Sequence, residues 1–300
     1  MTTHRFVPTA YHNVLGTFAP ALTVQSGDIV VTETIDANGW DKADAKVMNG
    51  PNPMNGPIAV TGAEPGDSLK VEILDMTPIR ATGWTRSALA ANVVDPDFVA
   101  QLPERVRAIW RIDRNAQTAT LDDAPPVLAN QVFPLAPMIG CFGVAPPLGQ
   151  AISAATSAEH GGNMDYRRFG PGATAWFPIA APGALFFLGD CHALQGDGEI
   201  VGTGIETCFE VTVRLTVDKK TIVWPRGETA RDIFTIGNAR PLDQALQHAT
   251  TEMVRWLGEL GLDVTAASHL LGQAVRYDVA NVYDPAYTVA CRLNKKWLPA

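Results

Sequence analysis

Between Phe169 and Val213 the chain carries no Lys or Arg, yet it holds Asp190, Asp197, Glu199, Glu206 and Glu210 among apolar runs such as residues 184–188. Carboxylates at the edge of a core must be protonated or compensated, because a buried unpaired charge is expensive. A bound cation is the simplest compensation. The order of residues in GDCHALQGDGE (189–199) sharpens that reading. On an extended chain Asp190 and His192 project to one face and Cys191 to the other, so a carboxylate and an imidazole reach one metal while the thiol points away. Upstream, HGGNMD sets His160, Asn163 and Asp165 around two glycines, which let backbone approach a ligand closely. Oxygen and imidazole donors suit zinc or a similar divalent ion. An EF-hand is excluded, because Leu194 falls where that loop needs an oxygen.

Plainer readings stand beside these. Gly-Asp pairs recur as turns at 27–28, 66–67 and 196–197, and a His beside an Asp is often only a structural hydrogen bond. Glu206 shares the polar face of its strand with Glu210, so it reads equally as a solvated glutamate or a general base. Cys191 has no Lys or His on its own face to activate it as a nucleophile.

These residues need strands to position them. Phe209, Val211, Val213, Leu215 and Val217 alternate with polar residues, which predicts a strand with one buried face. Similar strands are predicted at 69–73 and 29–35, each entered from a Gly-Asp turn. The two stretches echo each other, GDIVVTETID beside GDSLKVEILD, and close on Asp36 and Asp75. Residues 84–130 are broken by prolines and read as a mixed insert. Helical spacing from Leu242 to Leu260 stops at Gly261; a second helix is expected over 265–277, and Tyr287 to Leu293 alternates as a last strand. The fold class is therefore α+β and mainly β, with strands grouped before helices. We expect a β-rich core over 1–220 and a helix-rich α/β region over 221–300, packed together as one unit.

Composition narrows the function further. The 300 residues carry a formal charge of −8, which disfavours nucleic acid as a partner. No run of about 18 apolar residues exists to span a membrane. Residues 1–10 lack the basic head and cleavage pattern of an export signal, and Cys141, Cys191, Cys208 and Cys291 form no CxxC. A cytoplasmic setting is expected. Phosphate-loop, dinucleotide, GxSxG and HExxH signatures are all missing from the sequence.

At its acidic segment the chain resembles the acetamidase/formamidase family. The resemblance rests on HGGNMD (160–165), on GDCHALQGDGE followed by GTGIE (202–206), and on GPIAVTGAEPGDSLKVEIL (56–74). GCFGVAPP (140–147) and DVANVYDPAYTV near the C-terminus support it, while 84–130 matches least. One departure is Asn55 in NPMNGP, where the family more often has threonine. The resemblance implies hydrolysis of a small carboxamide to ammonia and a carboxylate, on a β-sandwich and barrel scaffold that usually forms a homo-oligomer, a dimer or higher. It implies a divalent metal, zinc in the first place, with calcium or another divalent ion compatible. Carried over by motif, Asp165, Asp190, His192 and Asp36 are the expected ligands. His160, Asn163, Gln195, Asp197, Glu199 and Glu206 would line or support the site, with Glu206 or Glu199 as the base. Two alternatives remain at this point: a module that binds a cation or sugar without turnover, and a hydrolase of a larger or cyclic amide.

Overall fold

Alternation builds the longest strands. Phe209–Asp218 buries Phe209, Val211, Val213 and Leu215 and turns the intervening polar residues outward. In the computed structural model, which describes residues 1–299, this strand lies between the two echoing segments. Val213 pairs antiparallel with Val30 of Asp28–Glu33 on one side and with Ile73 of Ser68–Pro78 on the other. The sheet has nine strands. From Ser68–Pro78 it continues through Thr174–Pro178, Arg226–Glu228, Asp232–Ala239, Tyr287–Asn294 and Arg276–Asn281. The strands that follow residue 221 thus extend the first sheet instead of forming their own.

A six-stranded sheet faces it. Its middle strands are Gly161–Asn163, Met138–Gly143, Phe186–His192 and Met54–Val60, in that order. Phe186–His192 is buried along its whole length and reads as an unbroken apolar run up to Gly189. Ile139, Phe142, Phe186 and Leu188 from this sheet share one core with Val30, Val71, Val211 and Phe234 from the other. The result is a sandwich.

Two expectations change here. The second helix ends at Ala274, and Arg276–Asn281, which was expected to begin inside it, is a strand against Tyr287–Asn294. Its alternating Tyr277 and Val279 fit a pleated edge better than a helix, and the neighbouring strand supplies the backbone hydrogen bonds. The region 84–130 contains no α-helix among the described residues. It belongs to a four-stranded antiparallel sheet made of Thr82–Arg86, Arg107–Asp113, Thr118–Leu121 and Phe133–Pro134, with Pro96 and Pro126 opening short 3₁₀ turns.

The helix Leu242–Glu259 covers the C-terminal strands, burying Ala249, Met253 and Leu257 against Ile233, Cys291 and Leu293. No helix among the described residues is long and apolar enough to cross a membrane.

Candidate active site

Five carboxylates and one imidazole meet where the two large sheets and the small one converge. Asp190 and His192 end the strand Phe186–His192, Asp165 follows Gly161–Asn163, and Glu199 and Glu206 come from the loop beyond His192. Asp284 follows Asn281, the last residue of the edge strand of the nine-stranded sheet. All six side chains are buried. Glu206 is held in place by paired backbone hydrogen bonds with Trp84, 3.0 and 2.8 Å, so the small sheet is stitched directly to the site.

Backbone strain concentrates here. Asp165, Asp190 and Glu199 have φ of 46°, 51° and 49°, a left-handed region that L-residues with side chains rarely occupy. Each such residue costs on the order of 1–3 kcal/mol, and these outliers cluster at functional sites. Gly140 makes room for two of them. A Cβ there would lie 2.5 Å from Asp165 Oδ1 and 3.1 Å from Asp190 Oδ2.

His192 is the centre of the arrangement. Its Nε2 lies 3.0 Å from Glu206 Oε1 and 3.3 Å from Asp190 Oδ1. Its Nδ1 lies 2.8 Å from Gln195 Oε1. The Gln195 amide is oriented by its own donor, which gives a 2.6 Å hydrogen bond to the Asp165 carbonyl oxygen. Gln195 Oε1 therefore accepts from Nδ1–H, and in the neutral ring the Nε2 lone pair is left facing two carboxylates. That is how a metal-ligating histidine is usually oriented. Asp190, His192 and Glu206 each offer a donor atom within 4.8 Å of the others, and Asp165, His192 and Glu199 do the same.

The rest of the cluster is held by amides. Asn281 directs its one NH₂ group at Asp165, Glu199 and Asp284, and Asn163 donates to Asp284 while accepting from Asn52 at 2.8 Å. Those few donors do not satisfy every oxygen. Asp165 Oδ1 and Glu206 Oε2 are buried without a hydrogen-bond partner.

The charge balance follows. Burial, reinforced by neighbouring carboxylates, pushes Asp165 and Glu199 well above the usual carboxyl range. Burial also raises Glu206, against the opposing pull of His192. For His192 burial works to lower the value, but Glu206 and Asp190 outweigh it and hold the ring well above the ordinary histidine range. In the absence of a metal, protons compensate a surplus of negative charge that a divalent cation would otherwise meet.

Of the residues singled out from sequence, Asp165, Asp190, His192, Glu199 and Glu206 come together. The line drawn there between ligands and bases is blurred, since Glu206 and Glu199 stand where ligands would. Asp36 is placed differently. Its Oδ2 accepts from Arg80 at 2.8 Å and from Trp84 Nε1 at 3.0 Å, and its Oδ1 accepts from two backbone N–H groups. It is already compensated and forms part of neither donor triad. Asp197 is a surface residue paired with Arg167, and Glu210 pairs with Arg5. Cys191 is buried, with its thiol pushed well up by burial. His160 is buried but outside the cavity wall, with both ring nitrogens unpartnered. Burial lowers its pKa to about 4, so its ring is neutral.

Asn281, Asp284, Trp84 and Arg86 went unassigned in the sequence reading. The first two sit in DVANVYDPAYTV, whose polar residues interrupt an otherwise apolar stretch. The other two carry no signal by themselves.

A cavity of about 220 Å³ opens onto Asp190, Glu199, Glu206 and Asp284, with Trp84, Arg86, Asn163 and Tyr283 in its wall. A larger groove of about 910 Å³ along the small sheet, by Arg111 and Thr118, shares none of these residues.

Comparison with known proteins places this geometry. The acetamidase/formamidase family profile matches residues 10–151 and 149–290. An acetamidase from Mycolicibacterium smegmatis is 29% identical over 81% of this chain and 69% of its own length. A formamidase from Methylophilus methylotrophus is 28% identical over 50% of the chain, which spans about half, 47%, of that protein. Among solved structures, an acetamidase from Yersinia enterocolitica superposes with a TM-score of 0.87 at 32% identity, covering 99% of this chain and 93% of that one.

Proposed function

The chain belongs to the acetamidase/formamidase family and is an amide hydrolase, and from that premise we propose that the buried cluster cleaves a small carboxamide to a carboxylate and ammonia with the help of a divalent cation. One observation carries the metal reading. His192 Nε2, its tautomer set by Gln195, faces Asp190 and Glu206 with no Lys or Arg among them. The donor set fits a cation on independent grounds: two buried carboxylate oxygens lack partners, and Gly140 keeps side-chain bulk away from two of the acids.

Asp190, His192 and Glu206 would hold the ion, with Asp165 and Glu199 beside it. The imidazole nitrogen favours zinc over calcium, which prefers oxygen alone. When bound, such an ion lowers the pKa of water from 15.7 towards about 7 and polarises the amide carbonyl.

The chain's own residues do the rest. Glu206 has one oxygen toward His192 and the other free, so it can take a proton from water and return it to the departing nitrogen. Transfer of that kind contributes about 10²- to 10⁴-fold. Asn163 spends its amide on Asp284 and Asn52, so it steadies the cluster instead of reaching for substrate. His160 is given no step. The small cavity suits a small amide.

The proposal includes a homo-oligomer in the cytoplasm. Exposed Val127, Val132 and Phe98 on the small sheet and its turns would be covered in such an assembly, and all four cysteines are free thiols.

Ammonia release from acetamide and formamide tests the reading. Metal-loaded protein is expected to release it, exhaustive chelation to stop it, and zinc to restore it. Full activity in protein verified as metal-free would overturn the metal role; no release from any small amide by loaded protein would overturn the substrate class.

A further inference from the structure

The cavity holds more than its acids require. It is lined by one cationic side chain among the described residues, Arg86, together with Asp190, Glu199, Glu206 and Asp284. Arg86 is half-buried, and among the described residues it pairs with no carboxylate and its guanidinium makes no hydrogen bond. It is nonetheless held in place. It ends the strand Thr82–Arg86, on the same face as Trp84, and lies 5.7 Å from the centre of the Trp84 ring. Its backbone N–H donates to Thr203 Oγ1 at 2.9 Å. Two residues back, Trp84 is stitched to Glu206. The surrounding segment is also fastened over the site, by Asn92 to the Val282 carbonyl at 2.7 Å and by Arg105 to the Tyr283 hydroxyl at 3.0 Å.

Volume adds a second argument. At roughly 30 Å³ per water, the cavity of about 220 Å³ equals about seven waters. Acetamide, with its single methyl, fills a fraction of that, and Arg86 lines the same cavity as the acids. A fixed guanidinium without a partner is a ready fork for a carboxylate, with two parallel donors in one plane. The cavity's own acids do not fill that role.

We propose that Arg86 is a specificity-determining residue that binds a carboxylate on the far end of the substrate, so that the preferred substrates are short amides of dicarboxylic acids, with the carboxamide at the acidic cluster and the free carboxylate on Arg86. The inference rests on the hydrolase reading above. It assigns a function to the part of the chain that resembles the family least.

The test compares kcat/KM for malonamate and for malonamide, which has the same length and a neutral far end, with acetamide as the reference amide and metal-loaded protein throughout. A site built around a charge-assisted hydrogen bond rejects the analogue lacking it, so wild type is expected to favour malonamate by about tenfold or more. In Arg86→Gln the ratio is expected to fall to about one. Arg86→Lys, which keeps the charge but not the fork, should retain part of it. The ratio is internal to each protein and does not depend on how much of it folds. A wild-type ratio at or below one, with malonamide hydrolysed, overturns the inference and leaves the hydrolase intact; so does a ratio that survives in Arg86→Gln. Ammonia from none of the three amides sinks the hydrolase reading, and this one with it.

Discussion

Two charge clusters in this molecule, one around the buried pair Arg226 and Glu252 and one around buried His192, are built to opposite rules. Under the helix Leu242–Glu259, Arg226 donates to Glu252 at 2.8 Å and to both oxygens of Glu259 at 2.8 and 2.7 Å. Arg255 adds a further bond to Glu252. Every carboxylate there has a cation. Around His192 five carboxylates share one imidazole and a few amides, with two oxygens left over. The first cluster is paired within the chain, and the second leaves carboxylate oxygens without partners. Burying charge is tolerable when it is paired and hydrogen-bonded, and an acidic cluster without enough donors is what the proposed cation would complete.

The largest expected effect separates the two clusters by activity. Glu206→Gln should lower ammonia release by about 10²- to 10⁴-fold. It should change the melting temperature of metal-free protein little, because burial already raises the Glu206 carboxyl to about 8 and the amide replaces a group that is largely protonated near neutral pH. A large fall in melting temperature instead would mean that the site, too, is a structural network.

Next in size is the converse change. Arg226→Met leaves Glu252 buried without its main partner and should cost about 3–5 kcal/mol of stability, read by denaturant unfolding. The surviving folded fraction should keep the wild-type KM for acetamide.

The smallest effect is in pH. In metal-free protein Asp165, Glu199, Glu206 and His192 all titrate above their unfolded values, so the folded state binds more protons than the unfolded one. Stability is then greatest near the unfolded carboxyl value of about 4 and is lost as pH rises through the raised values. The melting temperature of chelated protein should fall by about 2 °C or more between about pH 5 and about pH 8. With zinc the trend should reverse, since protons compete with the ion for the same donors. A flat profile in both forms would remove the contrast between the clusters.

Much of the site was legible because its donors sit in short runs of unusual composition. Asp190 and His192 meet as their alternation suggests, although Asp190 reaches its place in a left-handed conformation that alternation does not describe. Asp36 stands apart from both donor triads for a simple reason. Its partner Arg80 stands 44 residues away, and nothing local marks an aspartate as already paired. Asp197 and Glu210 belong to the same acidic stretch as Glu206, but their cations, Arg167 and Arg5, come from elsewhere in the chain. The helix expected over 265–277 was overrun because a strand edge was available to its last residues.

The sequence by itself determined the strands, the C-terminal helix and the surplus of acid, since hydrophobic period and composition act over a few residues. Tertiary structure alone decided which carboxylates find a cation within the chain and which do not. That depends on approaches of about 3 Å between residues as distant as Asn163 and Asp284, 121 positions apart. It also decided that the proline-broken insert would form a sheet carrying Trp84 and Arg86 to the cavity, because only the folded chain brings that strand against Glu206.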